Sequence, residues 1–120
     1  MRLSTRMVTL VAAVIALVCI SAPAFASRAH ATGTTVTVKA SEFKFKLSTS
    51  TAPKAGKVTF NLINVGHLPH DFKIAGKKTS LVNPGKSTKL VVTLKAGKYK
   101  YICTVAGHAA AGMRGTFTVK

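Results

Sequence analysis

Four side chains offer chemistry, and they fall in two short stretches. Tyr101-Ile-Cys103-Thr104-Val-Ala-Gly-His108-Ala-Ala-Ala-Gly-Met113-Arg-Gly115 sets a thiol, an imidazole and a thioether within eleven residues, with four residues between neighbours. Asn64-Val-Gly-His-Leu-Pro-His70-Asp71-Phe72 adds a second imidazole. Taken singly, each is ordinary: a loop histidine faces water, a methionine fills core, a buried cysteine is inert. Taken together, His70, Cys103, His108 and Met113 form a soft donor set able to hold a metal ion. Gly107 and Gly112 interrupt the second stretch and let its backbone turn tightly enough to bring its donors to one point.

Donor softness selects the metal. Two neutral imidazoles and one thiolate, with a weak thioether, suit a copper ion that cycles between cupric and cuprous states. Structural zinc favours four strong ligands, often several cysteines, and a thioether serves it poorly. A catalytic zinc with two His and one Cys fits by ligand count, but it needs an acid or base nearby, and Asp71 is the only candidate. A thiolate-bridged dinuclear copper centre needs two cysteines, and a trinuclear oxygen-reducing cluster needs more histidine pairs. One mononuclear copper is the expectation. His67, two residues before Pro69, is expected to face solvent rather than ligate, and Gly66 to bring a backbone carbonyl toward the metal. Asp71 is expected to bond to Thr104, tying the two loops together. Its other reading is a turn residue paired with a lysine.

The elements that must position these residues have a period of two. Val36 and Val38 alternate with threonine and lysine, as do Phe43, Phe45 and Leu47, then Val58, Phe60 and Leu62. Phe72 and Ile74, then Leu90, Val92 and Leu94, then Tyr99, Tyr101 and Cys103, and finally Phe117 and Val119 continue the pattern. Ala52-Pro-Lys-Ala-Gly56, Gly76, Asn83-Pro-Gly85 and Ala96-Gly97 separate the runs as turns. About seven short strands with turns every 8–12 residues predict an all-β antiparallel sandwich or barrel with one apolar and one Lys/Thr face per strand. Loops converge at the end of such a sandwich, which is how residues 70, 103, 108 and 113 can meet. No segment carries a helical stripe.

The 120 residues suffice for one small domain. Lysine and arginine number 18 against 2 acids, Glu42 and Asp71, for a net charge of +16. So few carboxylates leave one possible pair for acid–base work and too little oxygen for a calcium cage. No phosphate-cradling glycine motif is present. Met1–Arg6 holds two arginines, Met7–Ile20 is uncharged and apolar, and Ser21-Ala-Pro-Ala-Phe-Ala26 ends in small residues, the parts of a secretory signal over 1–26. Cleavage after Ala26 is expected, with Ala29-His-Ala31 as a second site and an uncleaved membrane anchor as the alternative. The exported chain then has a flexible start over 27–34 and a folded domain over 35–120. It carries 16 basic and 2 acidic residues, a net +14, and one cysteine, Cys103. A single thiol outside the cytoplasm forms no internal disulfide and is a liability unless it is buried, paired with another chain or bound to a metal.

On N-x-G-x-x-P-H-D and Y-x-C-T-V-x-G-H-x-x-x-G-M-x-G, with the strand pattern over about residues 35–120, the chain resembles the cupredoxins. These are small blue (type 1) copper proteins, and the likeness is to the plastocyanin, auracyanin and sulfocyanin neighbourhood. The resemblance implies a Greek-key β-sandwich of seven to eight strands with copper at its loop-rich end. It implies His70, Cys103 and His108 as the equatorial ligands and Met113 as the weak axial one. Asp71 stands where the family often has asparagine. Plastocyanin-like chains have a shorter Cys-to-His interval, often with a proline, where Val105-Ala-Gly stands here. That departure, and the missing acidic docking patch, argue against photosynthetic plastocyanin itself.

The function expected is one-electron transfer by an exported monomer, periplasmic, extracellular or on the cell surface, with no substrate transformed. A small apolar collar of Leu68, Ala109, Ala110, Ala111, Gly112 and Met113 around His108 would admit a redox partner protein with an acidic docking surface. An exported copper carrier or storage protein has the same ligand set and is the alternative. A basic adhesion module touching an anionic membrane or wall is a third reading. Nucleic acid is not expected as a partner, since no basic helix, zinc-finger spacing or RNP-like strand is present.

Overall fold

The computed structural model describes residues 33–120. The expected signal segment over 1–26, and the expected flexible start up to residue 32, lie outside the described residues. Strand β1 (Thr34–Ser41) begins at the edge of the expected domain, so residue 34 is already part of the sheet. It is followed by β2 (Lys44–Leu47), β3 (Thr51–Ala52), β4 (Gly56–Asn64), β5 (Lys73–Ile74), β6 (Lys77–Lys78), β7 (Ser87–Leu94), β8 (Gly97–Ile102) and β9 (Arg114–Val119). No helix occurs among the described residues. The two-residue strands β3 and β6 fall where turn residues dominate the sequence, which is why periodicity does not show them.

The strands form two sheets, β2-β1-β4-β7 and β3-β9-β8-β5-β6. The expected antiparallel pairing holds for most neighbours, but both sheets are mixed: β1 runs parallel to β4 and β3 parallel to β9. After the β1–β2 hairpin the chain crosses to the other sheet at β3 and returns as β4 beside β1. A returning strand then enters in the same direction as β1, and the parallel pair follows from that crossover.

Alternation decides which face is buried. Val36, Val38 and Ala40 of β1, Val58, Phe60 and Leu62 of β4, and Val92 and Leu94 of β7 meet Ile74, Tyr101, Phe117 and Val119 of the facing sheet. The aromatic contacts cross the sandwich. Phe60 lies with its ring centroid 5.0 Å from Phe72 and 5.2 Å from Phe117, and Phe45 lies 5.3 Å from Phe72. Every lysine, and Arg114, is exposed on the outside.

One end of this sandwich collects three connections. The register pairs Ala40 with Asn64, and the Val65 amide donates to the Ala40 carbonyl at 2.9 Å, so the β1–β2 tip lies beside the loop leaving β4. The β8–β9 connection, residues 103–113, belongs to the same end. The site is built there.

Candidate metal centre

Each donor is held by its backbone before any metal is considered. His70 sits in an antiparallel bridge with Val82, their amides donating to each other's carbonyls at 3.1 and 2.8 Å. Asn64 organises the loop before it. Its buried side-chain amide donates to the carbonyls of Leu68 and Val82 at 2.7 and 2.8 Å, and its oxygen accepts from the Gly66 amide at 2.9 Å. In the other loop the Cys103 amide donates to the Met113 carbonyl at 3.0 Å and the Met113 amide to the His108 carbonyl at 3.1 Å. That ladder closes the loop on itself, and Gly107 and Gly112 take the positive φ values, 80° and 126°, that the closure needs. At Gly112 a Cβ would also come within 3.0 Å of the Phe43 carbonyl.

The side chains converge. One ligand atom from each of His70, Cys103 and His108 lies within 4.8 Å of the others, and all three residues are buried. His70 Nδ1 is 3.2 Å from His108 Nδ1, and Cys103 Sγ is 3.6 Å from His108 Nδ1. Metal–nitrogen bonds of about 2.0–2.1 Å and a metal–sulfur bond of about 2.3 Å span such gaps from a single centre. Met113 is wholly buried, and its backbone is hydrogen-bonded to both Cys103 and His108. The set of two imidazoles, one thiol and a thioether fits one copper ion.

The loops are tied as the sequence suggests. Asp71 Oδ1 accepts from the Thr104 amide at 2.6 Å, and Asp71 Oδ2 accepts from the Thr104 hydroxyl. Both oxygens of Asp71 are therefore engaged by Thr104, so the acid that a hydrolytic zinc site would need is committed elsewhere. His67 is exposed, in keeping with a solvent-facing ring.

At Gly66 the missing side chain makes room for a neighbour. A Cβ there would stand 2.4 and 2.7 Å from the two carboxylate oxygens of Glu42. Met113 was expected to join the exposed collar around His108, and it is fully buried instead. Phe43, 39% exposed, takes that place, with its ring edge-on to His108 at a centroid distance of 5.0 Å. Leu68, Ala110, Ala111 and Gly112 are exposed as expected, with Ala109 half-buried.

Glu42 is the residue that sequence reasoning missed. From the β1–β2 tip its Oε1 accepts from the His67 and Leu68 amides at 2.8 Å each and lies 2.9 Å from His70 Nε2. The Leu68 amide foremost, with the His70 ring and the His67 amide, outweighs desolvation and holds the carboxyl down to about 2. The only sequence signal was scarcity: in a chain with 2 acids and 18 basic residues, each carboxylate is worth locating. At Cys103 burial, above all other influences, pushes the thiol up.

Comparisons with known proteins agree with this architecture. Auracyanin-B of Chloroflexus aurantiacus is 44% identical over 52 residues, a stretch that covers 42% of this chain and only 22% of that protein. The reduced auracyanin of Roseiflexus castenholzii superimposes with a TM-score of 0.63 at 22% identity, covering 72% of this chain and 97% of the other. Reduced rusticyanin gives a TM-score of 0.60 at 24% identity, with coverages of 73% and 79%. These two likenesses establish the shared β-sandwich. The sequence model of the cupredoxin-like domain matches residues 10–119, and the chain belongs to the cupredoxin-like domain family.

Proposed function

We propose that His70, Cys103 and His108 hold one copper ion as strong ligands, that Met113 is its weak axial ligand, and that the domain carries single electrons between redox partner proteins outside the cytoplasm. The observation that carries this reading is the meeting of one ring nitrogen from each of His70 and His108 with Cys103 Sγ within 4.8 Å, all three residues being buried. Bound copper supplies a one-electron couple. The chain's own contribution is rigidity, because backbone ladders and the Asp71–Thr104 tie fix the donors in place. Donors that do not move keep the rearrangement between the two oxidation states small.

Burial favours a carrier of electrons over a carrier of copper. His70 and Met113 are fully buried, Cys103 is 1% exposed and His108 8% exposed, so an acceptor protein has no open ligand to exchange with. An electron needs only a close approach to the His108 edge, which the exposed apolar Phe43 and Leu68 permit. Over the surface of the described residues the charge is one-sided. Glu42 and Asp71 are engaged internally while the lysines face water. Such a surface suits a partner with an acidic docking face and steers a brief encounter. The basic and apolar N-terminal segment supports export, either freed or anchored.

Copper-loaded protein is cycled repeatedly between oxidation states in the presence of a chelator, and its electron exchange with an acidic and a basic small redox protein is followed at rising salt. Retention of copper, with faster exchange toward the acidic protein that slows as salt rises, is the expected result. Rapid loss of cuprous ion to the chelator would instead make this a delivery or storage protein.

A further inference from the structure

We propose that Glu42 is a positioning residue for the metal centre, whose carboxylate fixes the His70 ring with Nδ1 toward the ion and biases the site toward the cupric state. This inference rests on the copper reading above. A carboxylate only accepts hydrogen bonds, so the 2.9 Å contact at His70 Nε2 makes that nitrogen the N–H donor. The neutral ring then has its lone pair on Nδ1, the atom that faces His108 and Cys103. The contact thus selects the tautomer that can ligate.

The carboxylate is itself held. The His67 and Leu68 amides both donate to Oε1 at 2.8 Å, so Glu42 also fixes the loop that leads into His70. Gly66 leaves the space that the two oxygens fill. The adjacent Phe43 packs its ring against His108. One hairpin tip therefore touches both imidazoles, gripping one by charge and hydrogen bond and the other by ring contact. A full negative charge bonded to the far side of an imidazole makes Nδ1 a stronger donor, and a stronger donor favours the more highly charged ion.

Three variants test this. Glu42→Gln keeps the shape and an oxygen for the two amides but loses the charge. Glu42→Ala removes the acceptor, and Gly66→Ala forces the carboxylate away while leaving it in the chain. In metal-free protein, nitrogen NMR of the His70 ring is expected to show a proton on Nε2 in the wild type and a loss of that preference in Glu42→Ala and Gly66→Ala. In copper-loaded Glu42→Gln, cupric affinity is expected to fall relative to cuprous affinity by about tenfold, at the lower end of the effect of such outer partners. That ratio is a rise of about 59 mV in potential. If Glu42→Ala does not fold, Glu42→Gln and Gly66→Ala decide the matter alone. An unchanged potential in Glu42→Gln, or an unchanged His70 tautomer in the other variants, overturns the proposal. A wild type that takes up no copper would defeat the copper reading instead, while the metal-free NMR would still report on the Glu42 contact.

Discussion

Replacing Asp71 separates the two loops without touching a donor atom. Asp71 is 4% exposed and accepts twice from Thr104, once from the amide and once from the hydroxyl. Hydrogen bonds to a charged acceptor contribute about 1.5–3 kcal/mol each, and partners left without one lose part of that again. Thr104 is half-buried, so water recovers some of the loss, and Asp71→Ala is expected to cost about 3 kcal/mol in the metal-free protein. For a domain of this size that lowers the melting temperature by about 12 °C or more. Asp71→Asn should cost only about 1 kcal/mol, because its carboxamide oxygen still accepts from the Thr104 amide and its nitrogen can donate to the hydroxyl. Denaturant unfolding of both variants, at constant m, gives the two values directly. If Asp71→Ala falls within about 0.5 kcal/mol of wild type, the range of an ordinary surface change, the tie contributes nothing and the account of loop rigidity is wrong.

Further outcomes follow from other parts of the structure. Gly115→Ala should destabilise the fold by about 1–3 kcal/mol, as overpacking does. Its Cβ would stand 2.4 Å from Cζ of Tyr101, a ring already stacked on Phe72 and edged by Phe45; chemical denaturation reads the loss. The metal-free Cys103 thiol, pushed up by burial, should alkylate with a pH midpoint above that of an ordinary thiol, and cupric binding should release its proton, measurable by pH-stat. Glu42 has a folded value depressed to about 2 from an ordinary 4.5, so its stabilisation is present above 4.5 and is lost as pH falls from there through about 2. The Leu68 amide resonance of metal-free protein should therefore titrate near 2, and a midpoint between 4 and 5 would show that the carboxylate is not gripped.

What could be read from the sequence was whatever is written locally. Alternation put Val36, Val38, Phe60, Leu62 and Phe117 in the core, and all are buried. The spacing of Cys103, His108 and Met113 within one loop, with glycines to bend it, pointed to a site together with His70 of the other loop, and the structure brings His70 to Cys103 and His108. The Asp71–Thr104 tie could be anticipated because each residue follows a proposed ligand directly. Glu42 could not, since it lies 28 positions from His70 and meets it only after β1 and β4 align. Phe43 was read as a core residue by alternation. The hairpin tip interrupts that register and turns its ring to His108 instead. The parallel β1–β4 pair was invisible for a related reason: alternation reports which face of a strand is buried, not the direction of its neighbour.

The most direct measurement is a titration of the metal-free protein, without residues 1–26, with cupric ion, followed in the visible spectrum. The account predicts one intense band that saturates at one copper per chain, bleaches with a mild reductant and is missing in Cys103→Ser. A colourless titration, or an identical band in Cys103→Ser, would contradict it.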